Sequence, residues 1–102
     1  MRATTNNDGS VLIAPTRLVA DTRDEFRTTA LTFLEHLAHD AGALVIDMEN
    51  TVDVDASGLG VLILVQKRAK ERELSTRLRR APERVRNLLK LTKLDFLFEL
   101  TN

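Results

Sequence analysis

Residues 43–48 read Ala43-Leu44-Val45-Ile46-Asp47-Met48, and residues 54–62 read Val54-Asp55-Ala56-Ser57-Gly58-Leu59-Gly60-Val61-Leu62. The first run is apolar without a break until Asp47. A run of this kind reads as a strand covered on both faces, which predicts a central place in a sheet. Residues 49–55 form a polar connection interrupted by Val52 and Val54. Ser57 then opens a helix expected to reach about Arg72. Leu59 and Val61 to Val65 are apolar nearly all round, so its first half is expected to be buried. Gln66 to Arg72 turns polar and is expected to emerge into solvent.

Outward from this stretch the pattern alternates. Met1 to Ser10 is polar and reads as a flexible arm, leaving residues 11–102 as one domain. Val11 to Ile13, closed by Pro15, predicts a short strand suited to an edge. Leu18 to Ala20 predicts a second, joined to it by the Pro15–Thr16 turn. Asp21 or Thr22 can cap a helix whose first turn carries Asp24 and Glu25, where the dipole favours carboxylates. Phe26, Ala30, Phe33, Leu34, Leu37 and Ala41 share one face of that helix, and Gly42 is a natural stop. Leu74 to Leu78 predicts another strand, unusually charged by Arg77, with Arg79 and Arg80 after it. Pro82 fits the first turn of a third helix, with Val85, Leu88, Leu89 and Thr92 on one face. Phe96 to Phe98 closes the chain as a short helix or a strand. Strands alternating with helices imply an α/β layer architecture.

Composition narrows the function. The 102 residues hold no cysteine, tryptophan or tyrosine. This excludes disulfides, thiolate metal sites and a cysteine nucleophile, and it suits a reducing compartment. The polar start lacks an apolar signal core, and no run approaches the ~20 apolar residues of a membrane span. A cytoplasmic domain without membrane insertion is expected. Net charge is zero, yet it divides: residues 1–65 carry 4 basic and 10 acidic side chains, and residues 66–93 carry 11 basic and 3 acidic. Such a split can steer a charged partner to one side.

Ser57 stands where a largely buried helix begins. Free N–H groups and the positive end of the dipole make that place tolerant of an anion. The serine can cap the helix with its own oxygen, and a phosphoryl group there would carry a charge of about −1.5 to −2. Gly58 and Gly60 are poor helix formers, so their presence in the first turn asks for a reason. Open access to the hydroxyl is one, and close helix–strand packing is another. Asp55 can stabilise the helix terminus. From local physics alone, a structural cap and a phosphorylation site both remain open.

The run Asp55-Ala56-Ser57-Gly58-Leu59-Gly60 resembles the signature of STAS domains of the anti-sigma-factor antagonist type. Ala43 to Met48 resembles that family's central strand ending in aspartate. Val85-Arg86-Asn87-Leu88-Leu89-Lys90-Leu91-Thr92-Lys93-Leu94-Asp95-Phe96-Leu97-Phe98 resembles its closing segment. The order of elements fits from about Val11 to Leu100. The resemblance implies a single STAS-like α/β domain with a mixed β-sheet and helices packed mainly on one face. It also implies partner switching. A serine kinase that is itself an anti-sigma factor would phosphorylate Ser57, and a metal-dependent serine phosphatase would reset it. Asp55 would lie beside the serine and help orient its hydroxyl. Ala56, Gly58, Leu59 and Gly60 would shape the docking surface. No cofactor is implied, and homo-oligomerisation stays open. Within the same fold, the alternative is a non-phosphorylated assembly subunit, as on the ATPase of a lipid-transport complex or in a stressosome-type scaffold.

The chain departs from the family pattern at three places. Val19 stands where many antagonists have an aspartate, and Asp21 either compensates or only caps the helix. Glu73 and Lys93 replace two glycines, and the strand after the second helix is more basic than the family's. Asp53 and Asp55 make the Ser57 neighbourhood negative, so a phosphoryl group is expected to repel an acidic partner surface.

Other functions fit less well. A serine hydrolase needs a base oriented by an acid, and the nucleophile-elbow pattern needs glycine where Asp55 sits; no enzyme is expected. His36, His39 and Asp40 read as a solvated helix end rather than a metal site. Lys67, Arg68, Lys70, Arg72, Arg77, Arg79, Arg80, Arg84 and Arg86 carry no interleaved aromatics, so nucleic-acid binding is not expected.

Overall fold

The computed structural model describes residues 11–102, so the arm expected over residues 1–10 lies outside the described residues. Its spine is β3 (Ala43–Asp47), flanked by β1 (Val11–Ile13) and β5 (Ser75–Arg79), with β6 (Glu99–Thr101) beyond β5. A separate pair joins β2 (Arg17–Leu18) to β4 (Asp53–Val54). Of the mixed sheet expected, the described residues supply parallel pairings only. β1 lies at the edge of the described sheet, as its Pro15 ending predicts.

Register explains which face is covered. Leu12, Ile46, Leu78 and Leu100 stand side by side across the four strands. The first three are fully buried and join the core with Phe26, Ala30, Leu34, Leu62, Val65, Val85 and Leu89. Those partners come from all three helices: α1 (Arg23–Glu35), α2 (Ala56–Glu71) and α3 (Glu83–Leu91). The adjacent row, Val11, Val45, Arg77 and Glu99, belongs to the opposite face because side chains alternate along a strand. β3 is therefore central as expected, but its two-sided burial is not found. Ala43 and Val45 are only half-buried, because the helices cover the face that holds Leu44 and Ile46.

The basic strand is accounted for by carboxylates in reach. Arg77 pairs with Glu99 at 3.0 Å and Arg79 with Asp47 at 2.9 Å. Arg80 reaches both Asp47 and Glu49. Much of the excess charge around β5 is thus neutralised within the domain.

Several boundaries differ from the sequence pattern. α1 stops at Glu35 instead of running to about Ala41. Ala38 turns extended, and a 3-10 turn follows over His39–Ala41. The Arg72 guanidinium donates to the carbonyls of Leu34 and, at 2.9 Å, of Leu37, which satisfies the end of the helix. Gly42, with φ of 82°, then makes the expected break. Thr22 holds the cap position of α1, yet its hydroxyl donates to the Arg17 carbonyl at 2.7 Å and accepts from the Val19 amide at 3.0 Å. It ties the turn together rather than capping. The second strand is Arg17–Leu18 and not Leu18 to Ala20, and β4 was not anticipated. Phe96 and Leu97 take the helical alternative, a 3-10 turn over Asp95–Leu97, and the strand β6 follows beyond Phe98, where none was expected.

Glu73 and Lys93 occupy the left-handed region, with φ of 62° and 59°. Each follows a helix in the same motif. Glu73 and Leu74 donate their amides back to the Lys70 and Ala69 carbonyls, and Lys93 and Leu94 to those of Lys90 and Leu89. This is the Schellman ending, which glycine usually serves.

Candidate functional site

β2 and β4 bring the start of α2 against the turn that leads into α1. The Asp55 amide donates to the Leu18 carbonyl at 3.3 Å, continuing the β2–β4 pairing. With φ of −102° and ψ of −173°, Asp55 is extended and serves as the N-cap of α2. One carboxylate oxygen accepts from the Gly58 amide at 2.9 Å and the other from the Ala20 amide at 3.1 Å. The Gly58 amide above all, joined by the Ala20 and Ser57 amides and the charge of Arg23, outweighs desolvation and holds this carboxyl below its ordinary value. The expected cap was Ser57, but the helix starts one residue earlier, at Ala56, and Asp55 takes that role.

Ser57 is thereby freed. It sits half-buried in the first turn, and its Oγ accepts from the Arg23 guanidinium of α1 at 3.4 Å. Arg23, Asp24 and Arg27 of α1 face Ala56, Ser57, Gly60, Val61 and Leu64 of α2 across an open groove of about 540 Å³. The hydroxyl is therefore reachable from outside. Asp53, counted among the acidic neighbours of Ser57, pairs with Arg17 at 3.7 Å, and Asp55 is engaged by amides. The negative neighbourhood expected around Ser57 from Asp53 and Asp55 is offset by two arginines of α1, which line its groove with Asp24.

The six motif residues divide by exposure. Asp55, Ala56 and Gly60 are exposed, Ser57 is half-buried, and Gly58 and Leu59 are buried. Leu59 belongs to the core. Gly58 lies so close to the Leu18 carbonyl that a Cβ has no room, whereas a Cβ on Gly60 would meet open space. The two reasons offered for these glycines thus separate: close packing applies to Gly58, and an unobstructed surface to Gly60.

Sequence reasoning missed Arg23 and Arg27. A signal was present, since Arg23 is the first residue of α1, where a cation opposes the helix dipole. Asp21 is exposed and lines a shallow recess with Arg17, Asp53 and Asp55. His36 and His39 are exposed, and the His36 ring lies 2.9 Å from the Thr32 carbonyl. Among the described residues, no helix is long and apolar enough to cross a membrane.

No curated protein matches the chain. Solved structures share its fold at low identity. A proposed anti-sigma factor antagonist of Thermotoga maritima superposes with a TM-score of 0.77 at 19% identity, over 98% of this chain and 84% of its own. A sulfate transporter family protein of Wolinella succinogenes gives 0.74 at 13%, over 96% and 80%. The anti-sigma factor antagonist SpoIIAA in its unphosphorylated form gives 0.67 at 14%, over 90% and 77%. The family described as "Mlab, STAS domain" matches residues 2–99, and by that match over nearly its whole length the chain belongs to the STAS domain family.

Proposed function

We propose that this STAS domain is a regulatory partner-switching protein of the anti-sigma-factor antagonist kind, controlled by reversible phosphorylation of Ser57. The observation that carries the reading is the Ser57 hydroxyl itself, half-buried and reachable beside an open groove, while Asp55 performs the capping that would otherwise occupy it. A cognate serine kinase, itself an anti-sigma factor, would supply the nucleoside triphosphate. The Ser57 oxygen forms a bond to the γ-phosphorus, the bond from that phosphorus to the leaving diphosphate breaks, and the hydroxyl proton passes to a base of the kinase. A serine phosphatase would return the hydroxyl. Ala56 and Gly60 offer the exposed contact surface, and Gly58 and Leu59 shape it from beneath. The domain acts without a cofactor of its own, in the cytoplasm.

A second reading is favoured by the family description, which names Mlab rather than an antagonist: a STAS subunit that joins an assembly without being modified. Incubation of the chain with ATP and a cognate serine kinase, followed by intact-mass analysis, separates the two. Gain of one phosphoryl group, lost in Ser57→Ala, supports the switch. No gain, together with tight binding to an ATPase, supports the subunit.

A further inference from the structure

Arg23 and Arg27 stand one helical turn apart on α1, so their side chains share a face and both line the groove beside Ser57. The Arg23 guanidinium already donates to the Ser57 oxygen at 3.4 Å. Its ion pair is with Asp24, exposed and long at 3.7 Å. Arg27 has no ion pair among the described residues. Two cations have been gathered beside a neutral hydroxyl, and Arg23 opens α1, where a cation opposes the dipole. Guanidinium groups match phosphate oxygens in geometry and charge, with two parallel hydrogen bonds available from each.

The geometry points to a receiver built into the domain: once Ser57 is phosphorylated, Arg23 and Arg27 hold its phosphoryl oxygens across the groove, and the modified side chain lies back against α1. This rests on the reading of Ser57 as the phosphoacceptor. Two carboxylates oppose the capture. Asp24 pairs with Arg23 at 3.7 Å, and the oxygens of Asp55 accept from the Gly58 and Ala20 amides. Asp24 lines the same groove and offsets part of the arginine charge, so the net attraction is that of two cations against one nearby carboxylate. The outcome for a partner is a changed groove. Before modification it presents two cations beside Asp24, and afterwards those cations are neutralised from within.

The test uses the full chain with phosphoserine inserted at position 57 during translation, so no kinase is needed. A phosphorus NMR titration follows the second ionisation of the phosphoryl group, ordinarily near pH ~6. In the otherwise unaltered chain the midpoint is expected to fall by about half a pH unit, the size of two exposed ion pairs. In Arg23→Gln/Arg27→Gln it is expected to rise by that half unit, leaving only the effect of the α2 terminus. Added salt is expected to shrink the shift, because exposed pairs are screened. Equal midpoints in the two proteins would overturn the receiver. Both arginines lie at the surface, so the variants are expected to fold, which far-UV dichroism checks. A chain that is never phosphorylated by its kinase would instead overturn the switch, whatever the titration gave.

Discussion

The backbone of Gly58 rests directly on the carbonyl of Leu18, with no space between them for a side chain. Helix α2 can approach β2 this closely only because of that glycine, and the approach sets where Ser57 emerges. Gly58→Ala is therefore expected to destabilise the domain by about 2–3 kcal/mol, since the obstacle is backbone and cannot swing aside. Gly60→Ala, two residues on, meets open space and is expected to stabilise α2 by about 0.5–1 kcal/mol through helix propensity. Urea unfolding of the two variants checks this directly. Equal effects would mean that α2 is free to shift off β2.

The left-handed residues Glu73 and Lys93 give a second prediction. Both close Schellman motifs with positive φ, a conformation in which a Cβ is strained. Glu73→Gly and Lys93→Gly are each expected to raise stability by about 0.5–1 kcal/mol, the relief of strain exceeding the added freedom of the unfolded chain. Neither side chain makes a bond whose loss would offset the gain, among the described residues. Unfolding midpoints unchanged in both variants would show that the strain is absent.

Much of this architecture was legible in local patterns. The run from Ala43 to Asp47 announced a central strand, and the apolar surround of Val61 to Val65 announced a buried helix. What stayed hidden depends on residues far apart in the chain. α1 stops at Glu35, and Arg72 donates to the carbonyls of Leu34 in its last turn and of Leu37 just beyond it; no window around Glu35 contains that arginine. β4 exists because Arg17 and Leu18 lie alongside Asp53 and Val54, whereas its own two residues carry no strand signal. The site divided the same way. The motif singles out Asp55 and Ser57, but only the fold shows that the cap of α2 is Asp55 and not Ser57. Arg23 and Arg27 became neighbours of Ser57 only through the packing of α1 on α2.

Acid should weaken the domain through Asp47. Burial raises the pKa of this carboxyl, but the Arg80 guanidinium, the Glu49 amide and Arg79 together hold it below its ordinary value. The folded state therefore binds a proton less readily than the unfolded chain, and stability rises with pH across the interval between the two pKa values. The contribution is complete above the unfolded value of about 4 and is lost as pH falls through the lower, folded one. Asp55 acts in the same direction. Asp47→Asn is expected to cost about 2 kcal/mol at neutral pH, typical of charge-assisted hydrogen bonds. The gap from the unaltered protein should close as the pH drops below about 4. A gap that stays constant from pH 7 to pH 3 would remove Asp47 as the titrating group.

Because Asp55 and not Ser57 caps α2, the chemistry of Ser57 can be changed without disturbing the fold. Ser57→Ala is expected to unfold within about 0.5 kcal/mol of the unaltered chain, whereas Asp55→Ala should lower the urea midpoint clearly. On that stable background the proposed switch can be read alone. Ser57→Ala is expected to keep its affinity for the cognate kinase. Ser57→Asp places a permanent charge at the proposed contact surface and is expected to weaken binding tenfold or more, which requires only about 1.4 kcal/mol. Titration calorimetry against that kinase measures both. Equal affinities for the two variants would mean that the charge at position 57 does not govern the partner.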